Sequence, residues 1–218
     1  MTIDAAIKRI QEIGIVPVVR AASLDEARRA VDAICTGGIP VIEITMTVPD
    51  APAMIREVVR HHGDKVLIGA GTVVTEKQAE LCFDAGAEFL VSPGLSLPVL
   101  RAAAAREKLA IPGALTPTEV IAAQDAGAKL IKIFPCGSVG GPKYLKALKA
   151  PFPDASFIPT GGVNLSNAAE YIAAGAFALG VGADLVDLTA LRNNDSKKIV
   201  DMAKALVDAV QLARMNRH

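Results

Sequence analysis

Four segments of the chain repeat one pattern: an alanine-rich stretch of helical period, a glycine, then a short apolar run. They are TGGIPVIEIT (36–45), DAGAEFLVSPG (84–94), DAGAKLIKIFP (125–135) and AAGAFALGVGADL (173–185). Gly38, Gly86, Gly127 and Gly175 stand where a helix would end, because glycine takes the left-handed conformation after a helix at little cost. Four further apolar runs alternate with these: IVPVVR (15–20), VLIGAGT (66–72), LAIPGAL (109–115) and SFIPTGG (156–162). Continuous apolar strands alternating with helices form a parallel sheet covered on both faces. Eight such units in 218 residues predict an α/β chain folded as a (β/α)8 TIM barrel. No Gly/Ser/Pro linker or charge block divides it, so residues 1–218 read as a single domain. An open doubly wound sheet is the alternative, against which no G-x-G-x-x-G opens a first βα turn. Asp4 as N-cap, with Ile3, Ile7 and Ile10 on one side, predicts an extra N-terminal helix across the barrel bottom. Pro17 fits poorly inside the first strand, since proline removes a ladder donor.

Composition excludes several functions. Lys+Arg and Asp+Glu are both 23, so nothing points to nucleic acid or an anionic membrane surface. No apolar run reaches the roughly 18 residues of a membrane span, and the N-terminus lacks a signal-peptide core. Cys35, Cys82 and Cys136, odd in number and widely spaced, read as reduced thiols of a cytoplasmic protein. The only histidines are His61 and His62, expected as solvated loop residues before the third strand, and the terminal His218. That supply argues against a histidine metal site or a Ser–His triad.

In a barrel, catalytic groups stand at the C-terminal ends of the strands. There the sequence offers Arg20, Glu43, Thr45, Thr72, Ser92, Thr116, Lys132, Thr160 to Gly162 and Gly180 to Gly182. Two of these are conspicuous. Lys132 lies inside LIKIFP and Glu43 inside VIEIT, each between isoleucines. One reading is a buried structural ion pair, which gains little over apolar packing of the same volume. The other uses the same burial: an amine held out of water is favoured in its neutral form, which attacks a ketone to give a Schiff base. Glu43 would then move protons at that site.

FIPTGGV and LGVGADL end the seventh and eighth strands, where barrels often bind phosphate through backbone N–H groups. Gly161, Gly162 and Gly182 are the candidate phosphate cradle, tight turns being the alternative. GSVGGPK (137–143) lacks the Gly-Lys-Ser/Thr ending of a P-loop, and Pro142 reads as a helix start. Lys143, Lys146 and Lys149 are spaced as one solvated helical face. Cys136 beside the ring is a weaker candidate nucleophile.

EITMTVPDA, IGAGTV, EFLVSPG, IPGALTPTE, KIFP and FIPTGGV occur in this order. With them the chain resembles, from about Ile15 to Asp187, the class I 2-keto-3-deoxy-6-phosphogluconate (KDPG) and 4-hydroxy-2-oxoglutarate (KHG) aldolases. The resemblance implies a homotrimeric barrel enzyme that needs no metal or other cofactor. It implies Lys132 as the Schiff-base lysine, Glu43 as general acid/base, and Arg20 and Thr72 at the substrate carboxylate. Thr45, Thr47, Pro93, Thr116, Phe134 and Thr160 are expected to line the pocket, with Gly161, Gly162, Gly182 and Ala183 at the phosphate. The implied reaction cleaves KDPG to pyruvate and glyceraldehyde 3-phosphate, and 4-hydroxy-2-oxoglutarate to pyruvate and glyoxylate. The alternatives are the related 2-keto-3-deoxy-6-phosphogalactonate aldolase, a phosphosugar epimerase or isomerase without an imine, and a non-catalytic scaffold. Two positions depart from the family pattern: Thr47 stands where some members carry arginine, and Ala183 where many carry serine.

Overall fold

The computed structural model describes residues 1–216; His218 lies outside them. The elements run α1 (Ile3–Ile13), β1 (Ile15–Val19), α2 (Leu24–Thr36), β2 (Val41–Thr45), α3 (Ala51–His62), β3 (Leu67–Gly71), α4 (Glu76–Asp84), β4 (Phe89–Val91), α5 (Leu97–Ala105), β5 (Leu109–Ile111), β6 (Gly113–Ala114), α6 (Pro117–Asp125), β7 (Ile131–Ile133), α7 (Gly141–Lys149), β8 (Phe157–Pro159), α8 (Ala168–Ala173), β9 (Leu179–Val181), α9 (Leu188–Arg192) and α10 (Ser196–Met215). Gly38, Gly86, Gly127 and Gly175 follow helices with φ of 96°, 100°, 84° and 104°, the left-handed turn-out expected of them. Among the described residues no helix is long and apolar enough to cross a membrane.

All strand pairs are parallel. A curled six-stranded sheet has the order β5-β4-β3-β2-β1-β9, and a second sheet the order β6-β7-β8. The apolar run 109–115, expected as one strand, is two: Pro112 has no N–H to donate and separates β5 from β6, though its carbonyl still accepts from Lys132 N at 2.9 Å. Pro17 does lie within β1, opposite Val181 of β9, and the β1–β2 ladder begins only at Val18. At the other edge, a parallel bridge joins Thr160 to Gly180.

The expected N-cap Asp4 is corrected by the structure. Thr2 caps α1, its hydroxyl accepting from Ala5 N at 3.3 Å, and Asp4 sits in the first turn, where a negative charge suits the helix dipole. Ala6 and Ile10 of α1 join a cluster with Val16, Val41, Leu67, Phe89, Leu109, Ile111 and Ile158 on one face of the strands. The other face carries Val19, Ile42, Ile44, Ile68, Ile131 and Ile133, packed under the surrounding helices. Successive strand side chains alternate between faces. Because Ile131 and Ile133 belong to the helix-covered face, Lys132 points to the opposite, inner face. Ile42 and Ile44 dispose Glu43 in the same way.

Candidate active site

The inner face brings Lys132 and Glu43 together. Their residues are 7% and 3% exposed, and Lys132 Nζ stands 3.9 Å from Glu43 Oε1. That is an ion-pair distance but too long for a hydrogen bond. No described protein group donates a hydrogen bond to the buried Oε1. A pair kept only for stability would satisfy its buried oxygens, since an unsatisfied buried acceptor is costly. The Phe134 ring lies on the other side of the amine, its centroid 5.3 Å from Nζ.

Space for this pair comes from glycine. Gly71 ends β3 opposite Thr45, and a Cβ there would overlap Glu43 Oε1. A Cβ at Gly69 would overlap the Phe89 ring, which fills the inner layer below. Sequence reading passed over Gly71; its signal was a glycine inside a strand run, which marks close approach of another group. The next residue, Thr72, has φ of 57°, an outlier for a β-branched residue that costs on the order of 1–3 kcal/mol. Thr45 is fully buried and its hydroxyl lies 2.9 Å from that of the exposed Thr47. Pro93 is half-buried, and its carbonyl fills the room that a side chain at Gly113 would take. Thr116 is exposed, and its hydroxyl caps α6 in a reciprocal box with Glu119.

A cavity of about 220 Å³ opens beyond the C-terminal ends of β1, β8 and β9. Thr160, Gly161 and Gly162 line one side, Gly182 and Ala183 another, with Arg20 and Phe134 between them. Gly161 and Gly162 have φ of 86° and 80°, so both need the freedom of glycine. Lys132, Glu43, Thr72 and Thr47 do not line this cavity. A larger surface cleft of about 660 Å³, flanked by Lys8, Lys149, Phe177 and Arg214, contains none of the sequence-predicted site residues.

Other candidates resolve differently from expectation. Cys136 is fully buried; burial pushes its thiol up to about 11, and Sγ faces the Gly141 carbonyl at 3.7 Å. It is a neutral thiol at ordinary pH and a poor nucleophile. All three cysteines are free. His61 and His62 are the last turn of α3, not loop residues, because the helix runs on to them. His62 Nε2 lies 3.3 Å from Asp32 Oδ1 and burial lowers its pKa. With His61 these groups cluster within 4.8 Å, at helix ends that precede strands, away from the glycine loops. Lys149 is not simply solvated: it donates to the carbonyls of Pro153 and Ala155 and covers the Phe157 ring.

The model of the KDPG and KHG aldolase family matches residues 6–202. The chain belongs to that family. It is an aldolase by descent, a carbon–carbon lyase. The KHG/KDPG aldolase of Escherichia coli (strain K12) is 34% identical over 91% of this chain and 92% of its own. The 2-dehydro-3-deoxy-6-phosphogalactonate aldolase of the same organism is 35% identical over 92% and 98%. Among solved structures, the KDPG aldolase of Legionella pneumophila with pyruvate captured as a covalent carbinolamine superposes with a TM-score of 0.86. That aldolase is 32% identical and covers 92% of this chain and 97% of its own.

Proposed function

We propose that this aldolase cleaves 2-keto-3-deoxy-6-phosphogluconate to pyruvate and glyceraldehyde 3-phosphate through an imine on Lys132. The observation that carries the reading is the buried amine 3.9 Å from a buried carboxylate oxygen that accepts no hydrogen bond from the described residues. Nζ attacks the C2 ketone and water leaves, giving an iminium ion. Glu43 takes the C4 hydroxyl proton as the C3–C4 bond breaks, and the bonding electrons pass into the iminium. The aldehyde departs, the enamine is protonated at C3, and hydrolysis of the imine releases pyruvate and the free lysine. The reaction needs no metal or other cofactor, because the protonated imine is itself the electron sink. Arg20 and Thr72 are assigned to the C1 carboxylate, and Thr45 and Thr47 to the pocket wall beside it. 4-Hydroxy-2-oxoglutarate, split to pyruvate and glyoxylate, is the second substrate. The galactonate epimer is the competing one, favoured by the relative of that name.

The two sheets are read as one closed (β/α)8 barrel with α1 across its lower end. Continuity of β5 with β6 across Pro112 and the Thr160–Gly180 bridge support closure. A cytoplasmic location fits three unpaired cysteines. A homotrimer is favoured by the family and by exposed apolar side chains such as Val74 and Leu97, 46% and 47% accessible and adjoining the Ser96–Val74 hydrogen bond.

The decisive experiment is incubation with pyruvate and borohydride followed by intact mass and peptide mapping. One reductively coupled pyruvate on Lys132 is expected, and none in Lys132→Arg, which should also lose turnover because arginine supplies no neutral amine. Cleavage without any trapped adduct would instead indicate chemistry without an imine.

A further inference from the structure

Asp32 of α2 and His61 and His62 of α3 meet where two helices end ahead of β2 and β3, at the opposite ends of the strands from the glycine loops. One donor atom of each lies within 4.8 Å of the other two. His62 Nε2 stands 3.3 Å from Asp32 Oδ1, and His61 Nε2 stands 3.8 Å from the same oxygen. Nothing in the aldolase reading uses these groups. His62 is the informative member. Its side chain is 12% exposed, and among the described residues no hydrogen bond engages its buried Nε2. The separation from Oδ1 would permit one, so it is the direction of approach that fails. A hydrogen bond needs donor and acceptor to point at each other. Two ligands of one ion point instead at a third position, and metal bonds of about 2.0–2.2 Å in a tetrahedron set the ligand atoms about 3.3–3.5 Å apart. The close pair here has that spacing. Without an ion, the buried nitrogen bears the cost of lost solvation with no partner to offset it.

The surroundings leave the carboxylate available. Among the described residues no lysine or arginine pairs with Asp32; its charged-group neighbours are the two histidines. The histidines close the last turn of α3, where the free carbonyls of a helix end favour a cation. Two imidazole nitrogens and one carboxylate suit zinc and its first-row neighbours, whereas magnesium and calcium take oxygen ligands. Three protein ligands leave a further position to water. Cys35, three residues beyond Asp32 on α2, stands outside the cluster and is not needed to complete it.

We propose that Asp32, His61 and His62 form a second site, remote from Lys132, that binds a divalent transition-metal ion of the zinc class and ties α2 to α3. The site is structural. The aldol cleavage proceeds without it.

The test is zinc binding by the full-length protein, stripped with a chelator, dialysed and titrated in competition with a chromophoric chelator. One zinc ion per chain is expected, and excess magnesium should not displace it. Asp32→Asn and His61→Ala, both at partly exposed side chains where folding is secure, should each weaken binding by at least about tenfold, the loss that follows removal of even an outer support of a metal ligand. Zinc should raise the melting temperature of the wild type and leave that of the two variants unchanged, since only a folded state that binds the ion is stabilised by it. Cys35→Ser and His218→Gln should bind as the wild type does. Failure to bind zinc, or equal binding in Asp32→Asn and His61→Ala, would overturn the site and leave a plain contact between helices. Loss of binding in Cys35→Ser or His218→Gln would overturn it in favour of a thiol or the chain terminus. Chelation should leave borohydride trapping of pyruvate unchanged, and loss of trapping would overturn the remote, structural assignment.

Discussion

Glu43 occupies the space that a side chain at Gly71 would need. The two belong to adjacent strands, and a Cβ on residue 71 would overlap Oε1 of the carboxylate. The glycine is therefore part of the site: it leaves room for the carboxyl against β3, 3.9 Å from Lys132 Nζ.

Gly71→Ala should displace Glu43 and destabilise the fold by about 1–3 kcal/mol, the usual range for overpacking. Turnover should fall by about as much as in Glu43→Gln. The double variant should be little slower than either single one, because both act through the same carboxylate. Urea unfolding and steady-state kinetics on the four proteins test this, and losses that multiply would show that Gly71 acts elsewhere.

Glu43→Gln keeps nearly the same shape but cannot exchange a proton. Its turnover should fall by roughly 10²–10⁴, the range typical of general acid–base catalysis. Borohydride should still trap pyruvate on Lys132, though more slowly. Wild-type turnover in this variant would reduce Glu43 to a packing partner of the lysine.

At the glycine loops, Ala183→Ser adds a neutral donor to the wall of the cavity that holds Arg20. A gain of about 0.5–1.5 kcal/mol, up to roughly tenfold in kcat/KM, is expected on the phosphorylated substrate only. Gly162→Val works in the opposite sense: φ of 80° is unfavourable for valine, and the Gly137 Cα lies 3.2 Å from the new Cβ. It should weaken the phosphorylated substrate far more than 4-hydroxy-2-oxoglutarate, with circular dichroism to confirm folding. Equal losses on both substrates would leave these glycines as turn formers.

Stability in acid should depend in part on Glu119. The backbone N–H groups of Leu115 and then Thr116 hold its carboxyl below the ordinary 4.5. With the folded pKa depressed, the unfolded chain binds more protons, so stability rises with pH. The contribution is complete above about 4.5 and is lost as pH falls through the lower, folded value. Glu119→Gln retains an acceptor for the cap, as Gln78 does in α4. It should change stability at neutral pH by less than about 1 kcal/mol. It should also flatten the acid limb of urea unfolding curves recorded from about pH 7 to about pH 3. An unchanged acid limb would remove the assigned role.

The repeat of helix, glycine and apolar strand was legible from the residues, because glycine after a helix and period-two burial are local consequences of backbone geometry. The same local rules made Lys132 and Glu43 stand out, each a charge between two buried isoleucines. Local signals erred where neighbours decide the outcome. Pro112 splits a run that hydropathy reads as one strand, Thr2 takes the cap expected of Asp4, and helix α3 extends through His61 and His62. What only the tertiary structure decided is how far apart the charged groups stand and which of them share a cavity. Arg20 lies with Gly182 because the ends of β1 and β9 are neighbours in the sheet, a fact of strand order. Gly71 yields its space to Glu43 for the same reason. Strand order is fixed by packing among residues far apart in sequence, so position along the chain alone does not reveal it.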